Sequence, residues 1–145
     1  MTRRLHTIAF LCLLLAVAGN GIADNTFLVM ESGMRYRDLV TGSGATAEPG
    51  DVATMHFVGW LDDSGREGRQ FFNSRREGGP VSFVIGTDRV MPGWNEGIVG
   101  MRAGGRRLLM LPPSLGYGSR AVEDVIPANS GLIFNIELIG LKKKP

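Results

Sequence analysis

From Met34 onward, apolar and polar residues alternate with period two over most of the chain, which predicts a body built from half-buried strands. Met34 to Val40 alternates in this way and stops at Gly42-Ser43-Gly44. Val52 to Leu61 alternates again, with Met55 and Phe57 on one face and Thr54, His56 and Val58 on the other. A turn cluster follows at Asp62-Asp63-Ser64-Gly65, and Gln70-Phe71-Phe72 resumes extended structure. Val81, Phe83 and Ile85 share one face of a further strand that Gly86 ends, and Arg106 to Leu111 and Gly131 to Leu141 form the last two. One segment changes period: Trp94, Ile98 and Met101 recur at helical spacing, Pro92 suits a first helical turn, and Gly104-Gly105 predicts the stop. The expected architecture is α+β, a curved antiparallel sheet of about five strands wrapped around one short helix.

The N-terminus follows neither period. Arg3 and Arg4 precede an apolar run from Thr7 to Gly19, and Gly21-Ile22-Ala23 places small residues where a signal peptidase cuts. A secretory signal over residues 1–23 is expected, then a leader over 24–33, the domain over 34–141 and a basic tail over 142–145. The run is shorter than the roughly 20 apolar residues that a spanning helix needs, which argues against a membrane anchor. Cys12 lies inside the apolar run without the small neighbours of a lipoprotein signal, and Arg3-Arg4 hints at twin-arginine export without a cofactor motif to match it.

Removing this segment changes the charge reading. The chain has 16 Lys plus Arg against 14 Asp plus Glu, and loss of Arg3 and Arg4 leaves 14 of each. Bulk charge therefore gives no support to a nucleic-acid partner. Lys142-Lys143-Lys144 reads as a solvated end that keeps the last strand soluble. Cys12 is the one cysteine, so the domain from Asp24 onward has no disulfide and depends on a single core.

No catalytic constellation is legible. Ser64, Ser74 and Ser114 lack a nucleophile elbow, His56 sits alone on a strand face, and Asp62-Asp63 and Glu123-Asp124 lack the further ligands that a cation site needs. No metal or cofactor is expected. The informative stretch is Val90 to Gly97, VMPGWNEG, which places Trp94 at a helix start with no acid, base or nucleophile nearby. With Tyr117 between Gly116 and Gly118, and apolar runs at Val125-Ile126-Pro127 and Leu132-Ile133-Phe134, it suggests an aromatic pocket for a small apolar group.

Five stretches, HFVGWLDDSG, FFNSRREGGPVSFVIG, VMPGWNEGIVGM, GGRRLLMLPPSLGYG and VIPANSGLIFNIELIGL, together resemble the FKBP-type peptidyl-prolyl cis-trans isomerases, the macrolide-binding immunophilins, over about Ser32 to Leu141. The resemblance implies a pocket between sheet and helix with Trp94 as its floor, under a proline ring. It implies that Phe57, Phe72, Val81, Phe83, Val90, Met91, Ile126 and Phe134 line the pocket, and that the Tyr117 hydroxyl and the Met91 N–H hold substrate carbonyls. Phe57 stands where a tyrosine is common, Asn73 where an aspartate is common, Val81 where a phenylalanine is common, and Val122 near where a histidine can occur. The Phe57 and Asn73 positions form a corner in the family, and an aspartate at 73 is expected to lack a donor once the tyrosine hydroxyl is gone. No dimerisation domain fits in the remaining length, so a monomer is expected, without membrane insertion after cleavage.

The chemistry suits such a pocket. Rotation about a peptide bond meets a barrier of about 18–20 kcal/mol from amide resonance, and X-Pro is the common bond with both isomers populated. The partners implied are proline-containing segments of exported proteins, in the bacterial periplasm or else a eukaryotic secretory lumen, and macrolides. A non-catalytic module that holds proline-containing segments is the alternative reading.

Overall fold

The computed structural model describes residues 25–145; the expected signal segment lies outside the described residues. Seven strands occur there: β1 (Leu28–Val29), β2 (Arg35–Val40), β3 (Val52–Asp63), β4 (Arg66–Asn73), β5 (Val81–Val84), β6 (Arg106–Leu111) and β7 (Leu132–Lys142). The helix α1 (Pro92–Ile98) lies between β5 and β6, and a 3-10 turn spans Pro113–Leu115. Every pairing is antiparallel, in the order β1-β2-β6-β7-β3-β4, with β5 alongside β3. The α+β reading holds. The sheet has seven strands where about five were expected, in part because the leader contributes β1: Leu28 and Val29 pair with Tyr36 and Arg35.

Central placement explains the composition of β7. It pairs with β6 on one side and with β3 on the other, and Leu132, Ile133, Phe134, Ile136 and Leu138 are all buried. β3 shows the expected alternation, burying Ala53, Met55 and Phe57 while Thr54, His56 and Val58 stay half-buried. Its other edge is divided, because Val52 to Met55 pair with β5 and Val58 to Asp63 pair with β4. Phe57 lies at the gap between these partners. Ser74, fully buried, closes the gap: its N–H donates to Phe57 O at 3.0 Å and its Oγ accepts the Phe57 N–H at 2.9 Å. His56 Nδ1 meets the same Oγ at 2.8 Å, which gives this histidine a structural task.

The helix is shorter than its periodicity predicts. It ends at Ile98 because Gly100 takes φ +85°, the left-handed turn glycine adopts readily, and Met101 is buried beyond the helix. Arg107 secures that end from β6. Its Nη1 donates to Gly97 O at 3.0 Å and Val99 O at 3.2 Å, its Nε and Nη2 pair with the Asp38 carboxylate, and its guanidinium lies 4.3 Å from the Tyr36 ring centroid. A buried guanidinium thus has an acceptor for each of these donors and an aromatic face beneath it, which offsets its desolvation.

The basic end is also not a free tail. β7 continues to Lys142, and Lys143 Nζ donates to the Asp51 carboxylate at 2.6 Å and to Glu48 at 3.1 Å. Asp51 is fully buried and also accepts the N–H groups of Glu48 and Lys144 at 3.0 and 3.1 Å. The sequence reads as a solvated run because its acceptor lies 92 residues away.

Gly93 and Gly97 set how closely the helix approaches β6. A Cβ at position 93 would come within 2.4 Å of Leu111 Cδ1 and 2.9 Å of Leu115 O, and one at 97 within 2.5 Å of Leu109 Cδ1. Gly93→Ala is therefore expected to destabilise the protein by about 1–3 kcal/mol despite the better helix propensity of alanine, because the buried Leu111 side chain and the Leu115 carbonyl must move. Urea unfolding of the two proteins measures it.

The Asp51 clasp has a pH signature. The Lys143 hydrogen bond, helped by the two backbone N–H groups and opposed by burial, lowers its pKa from 3.8 to about 2, while the same pairing raises that of Lys143 above 10.5. A lowered carboxylate pKa stabilises the fold above its unfolded value, and this contribution fades as pH falls from about 4 towards 2. The raised Lys143 contributes below 10.5 and fades as pH rises past its folded value. Asp51→Asn is expected to lower the thermal midpoint at neutral pH and to make the decline in midpoint between about pH 4 and 2 shallower than in the wild type. Calorimetric scans across that range test both.

Candidate active site

The helix start, the β3 gap, the β4 end and the loop after the 3-10 turn enclose a cleft of about 420 Å³. This is within the roughly 300–1,000 Å³ range of small-ligand sites. Trp94 is its floor, 7 % exposed, with other rings holding it from the sides. Phe57 meets it edge-on with centroids 4.7 Å apart and an interplanar angle of 67°, and Phe134 does so at 5.5 Å and 78°. Phe72 stacks on Phe57 at 4.9 Å and 14°. Edge-to-face pairs of this kind add about 0.5–1.5 kcal/mol each beyond burial and fix the ring plane. The Trp94 indole N–H is buried without an acceptor among the described residues. Leaving it so costs roughly 1–3 kcal/mol, and packing against the rings must outweigh that.

Of the residues that the resemblance points to, Phe57, Phe72, Met91, Trp94, Tyr117, Ile126 and Phe134 line this cleft. Val81 and Phe83 do not: they border a neighbouring groove of about 680 Å³ along β5, and Val90 borders both that groove and a hollow of about 410 Å³ that shares Met91, Trp94 and Tyr117 with the cleft. Phe83 still supports the floor from behind, its ring 6.0 Å from that of Trp94. Tyr117, 41 % exposed, stands at the mouth with its hydroxyl unpaired among the described residues. The Met91 N–H, immediately before the helix, is likewise unpaired among them. Two donors thus flank the floor.

Asn73 is the clearest correction. It is absent from the cleft lining; its Oδ1 accepts the Arg75 N–H at 3.0 Å, while its backbone carbonyl accepts Arg76 N–H and Glu77 N–H at 3.0 and 3.1 Å. An aspartate at this position would have the Arg75 N–H as donor, so the expected dependence on a tyrosine at position 57 does not hold. In register Asn73 opposes Val58, the neighbour of Phe57 that faces the other side of the strand.

Phe71 was not expected in the cleft, since alternation puts it on the face opposite Phe72. The β3–β4 register shifts between Gly59↔Phe72 and Trp60↔Gln70, leaving Phe71 in the irregularity, and its ring meets Phe134 at 5.8 Å and 87°. Gly59 makes the space, since a Cβ there would approach Phe71 Cζ to 2.6 Å. Glu77 at the rim carries no sequence signal, and neither does the anchoring of Val122 to Ile126, where Arg69 of β4 donates to the carbonyls of Asp124 and Val125.

The floor bears only rings and aliphatic groups, with donors at its edge and no nucleophile, so the site suits binding and desolvation of an apolar ring next to a carbonyl. Residues 43–139 match the sequence model of the FKBP-type peptidyl-prolyl cis-trans isomerases. The chain belongs to this family. This FKBP is 38% identical over 132 residues to FK506-binding protein 2 of Dictyostelium discoideum, covering 90% of this chain and 94% of the relative. It is 39% identical over 113 residues to the peptidyl-prolyl cis-trans isomerase FPR2 of Saccharomyces cerevisiae, covering 78% and 82%. Among solved structures, AtFKBP13 superposes with a TM-score of 0.72 at 37% identity over 81% of this chain and 99% of that one. FkpA from Escherichia coli gives the same TM-score at 33% identity, with 85% of this chain matched to 55% of FkpA. The activity of this FKBP is cis-trans isomerisation of X-Pro bonds.

Trp94→Leu tests the floor. Leucine retains part of the buried volume and removes the unpaired indole donor, so cooperative unfolding should persist, whereas truncation to alanine would cost about 3–5 kcal/mol. Isomerase kcat/KM on a short X-Pro peptide should fall about tenfold or more, equivalent to about 1.4 kcal/mol of transition-state stabilisation. A folded Trp94→Leu protein with wild-type turnover would place the proline elsewhere.

Proposed function

We propose that this FKBP speeds the folding of exported proteins by isomerising their X-Pro bonds after its own transport across a membrane, most simply into the bacterial periplasm. The observation that carries the catalytic part is the face of Trp94, held level by Phe57 and Phe134 and flanked by the unpaired Met91 N–H and Tyr117 hydroxyl. A proline ring stacked on the indole would leave the preceding carbonyl among the walls. There the carbonyl loses the water that favours the planar, resonance-polarised amide, and the twisted amide gains in relative terms. Donors at the rim anchor neighbouring carbonyls, so binding energy is spent on holding the chain in the twisted form. A thousandfold acceleration needs only about 4 kcal/mol, within reach of desolvation and one or two hydrogen bonds.

The export part rests on the basic, apolar and small-residue order of residues 1–23, and on the absence of cysteine from Asp24 onward, which suits an oxidising compartment. Slow X-Pro isomerisation, tens to hundreds of seconds uncatalysed, is the folding step that such an enzyme relieves. Among the described residues no helix is long and apolar enough to cross a membrane. Binding of a macrolide over Trp94 is part of the same proposal.

Expression of the full chain in a Gram-negative host, fractionation and intact mass spectrometry test it. Recovery from the periplasm with Asp24 as first residue is the expected result, together with faster refolding of a proline-limited secreted protein and loss of that effect on adding a macrolide. A product that retains Met1 to Ala23 in the cytoplasm would overturn the export reading.

A further inference from the structure

The cleft has a second arm. A hollow of about 410 Å³ shares Met91, Trp94 and Tyr117 with it and continues past them to Arg89, Asp88 and Arg120. A polypeptide whose proline rests on Trp94 is extended on either side of that ring, and only one path out along the shared residues leads into this arm. Arg89 and Arg120 approach it from separate segments, the turn before α1 and the loop after Tyr117. Both side chains are exposed, and neither guanidinium makes an ion pair or a hydrogen bond among the described residues. Arg107 holds the helix end, Arg69 holds the loop after Val122 and Arg75 pairs with Glu137, while the guanidinium groups of Arg35, Arg66, Arg76 and Arg106, unpaired among the described residues like those of Arg89 and Arg120, border neither the cleft nor this arm. The main cleft carries the reverse sign, for Glu77 borders it and does not border this arm.

We infer that the arm is a subsite for an acidic side chain of the substrate, so that this FKBP prefers X-Pro segments carrying a Glu or Asp within about three residues of the proline on the side that enters the arm. The span follows from chain geometry, since an extended residue advances about 3.3–3.6 Å and the arm begins beside Tyr117. Two arginines against Asp88 leave the arm net positive, and a lysine in the same substrate position would be disfavoured. Glu77 adds to this discrimination by repelling an acid that leaves through the other end. The inference rests on the isomerase reading of the cleft and names the substrate class that the cleft takes.

The size of the effect is bounded by exposure. Solvent-exposed pairs change affinity by a factor of about 1.5 to 5 each, so two arginines together amount to roughly two- to twenty-five-fold, and a three- to tenfold effect lies in the middle of that range. Such a contribution is screened as the Debye length shrinks from about 10 Å at 0.1 M salt to about 3 Å at 1 M.

The test uses the full chain as exported and peptides with one proline, in which Glu, Gln or Lys occupies in turn each of the three positions before Pro and the three after it. Affinity is read by isothermal titration calorimetry, and turnover by NMR exchange. At one or more positions on a single side of the proline, the Glu peptide should bind about three- to tenfold more tightly than its Gln counterpart, and the Lys peptide more weakly. The ratio of Glu to Gln affinities should approach unity in 1 M NaCl and in the double variant Arg89→Gln, Arg120→Gln. Equal binding of Glu and Gln peptides at every position would overturn the inference, as would a Glu preference that survives in the double variant. Peptides that bind with the charge preference but are not turned over would count against the catalytic reading alone, because calorimetry does not depend on turnover.

Discussion

The site depends on how tightly a seven-residue helix is pressed against one strand. Gly93 and Gly97 leave no side chain between α1 and β6, and Leu111 and Leu109 occupy the space that a Cβ would need. At that separation Trp94 reaches down between Phe57 and Phe134, which meet it at steep angles and leave a face of the indole towards the cleft. A helix this short is not stable alone. It is held by burial on one side and at its C-terminal end by Arg107, which takes two of its last carbonyls while anchored to Asp38.

That arrangement explains how a cleft whose floor is made of rings and aliphatic groups can serve an enzyme. The reaction breaks no covalent bond. It needs only an environment in which a twisted amide is less disfavoured, and in the proposed mechanism the cleft supplies this through rings that exclude water and two donors at the edge. The polar residues that look chemical in the sequence serve the scaffold instead. Ser74 and His56 close the gap in the β3 ladder behind Phe57, and Asp51 gathers Lys143 with two backbone N–H groups where the last strand ends.

The rim differs in character from the floor. Apolar floor residues are confined by contacts on all sides, while Arg89, Arg120, Tyr117 and Glu77 stand on turns and loops where a substitution disturbs little packing. Ring binding and chain selectivity are therefore separable within one cleft, the first built into the core and the second displayed at its edge.

Period-two and helical patterning determined which segments became strands and helix, because alternation follows directly from burying one face of a pleated strand, and the α+β class was legible from it. The spaced motifs around Trp94, Tyr117 and Phe134 pointed to the family and to seven of the cleft residues. What only the tertiary structure decided are features made by pairings distant in sequence. The register shift opposite Gly59 turned Phe71 into the cleft against the simple alternation, and the divided edge of β3 sent Val81 and Phe83 to a separate groove. The Arg75 N–H satisfied Asn73 locally and removed the expected coupling with Phe57. Lys143 found its partner across 92 residues, and Gly100 with Arg107 ended a helix whose apolar period ran on to Met101. In each case the deciding quantity was a donor, an acceptor or a volume brought near by the fold, which the local order of residues does not encode.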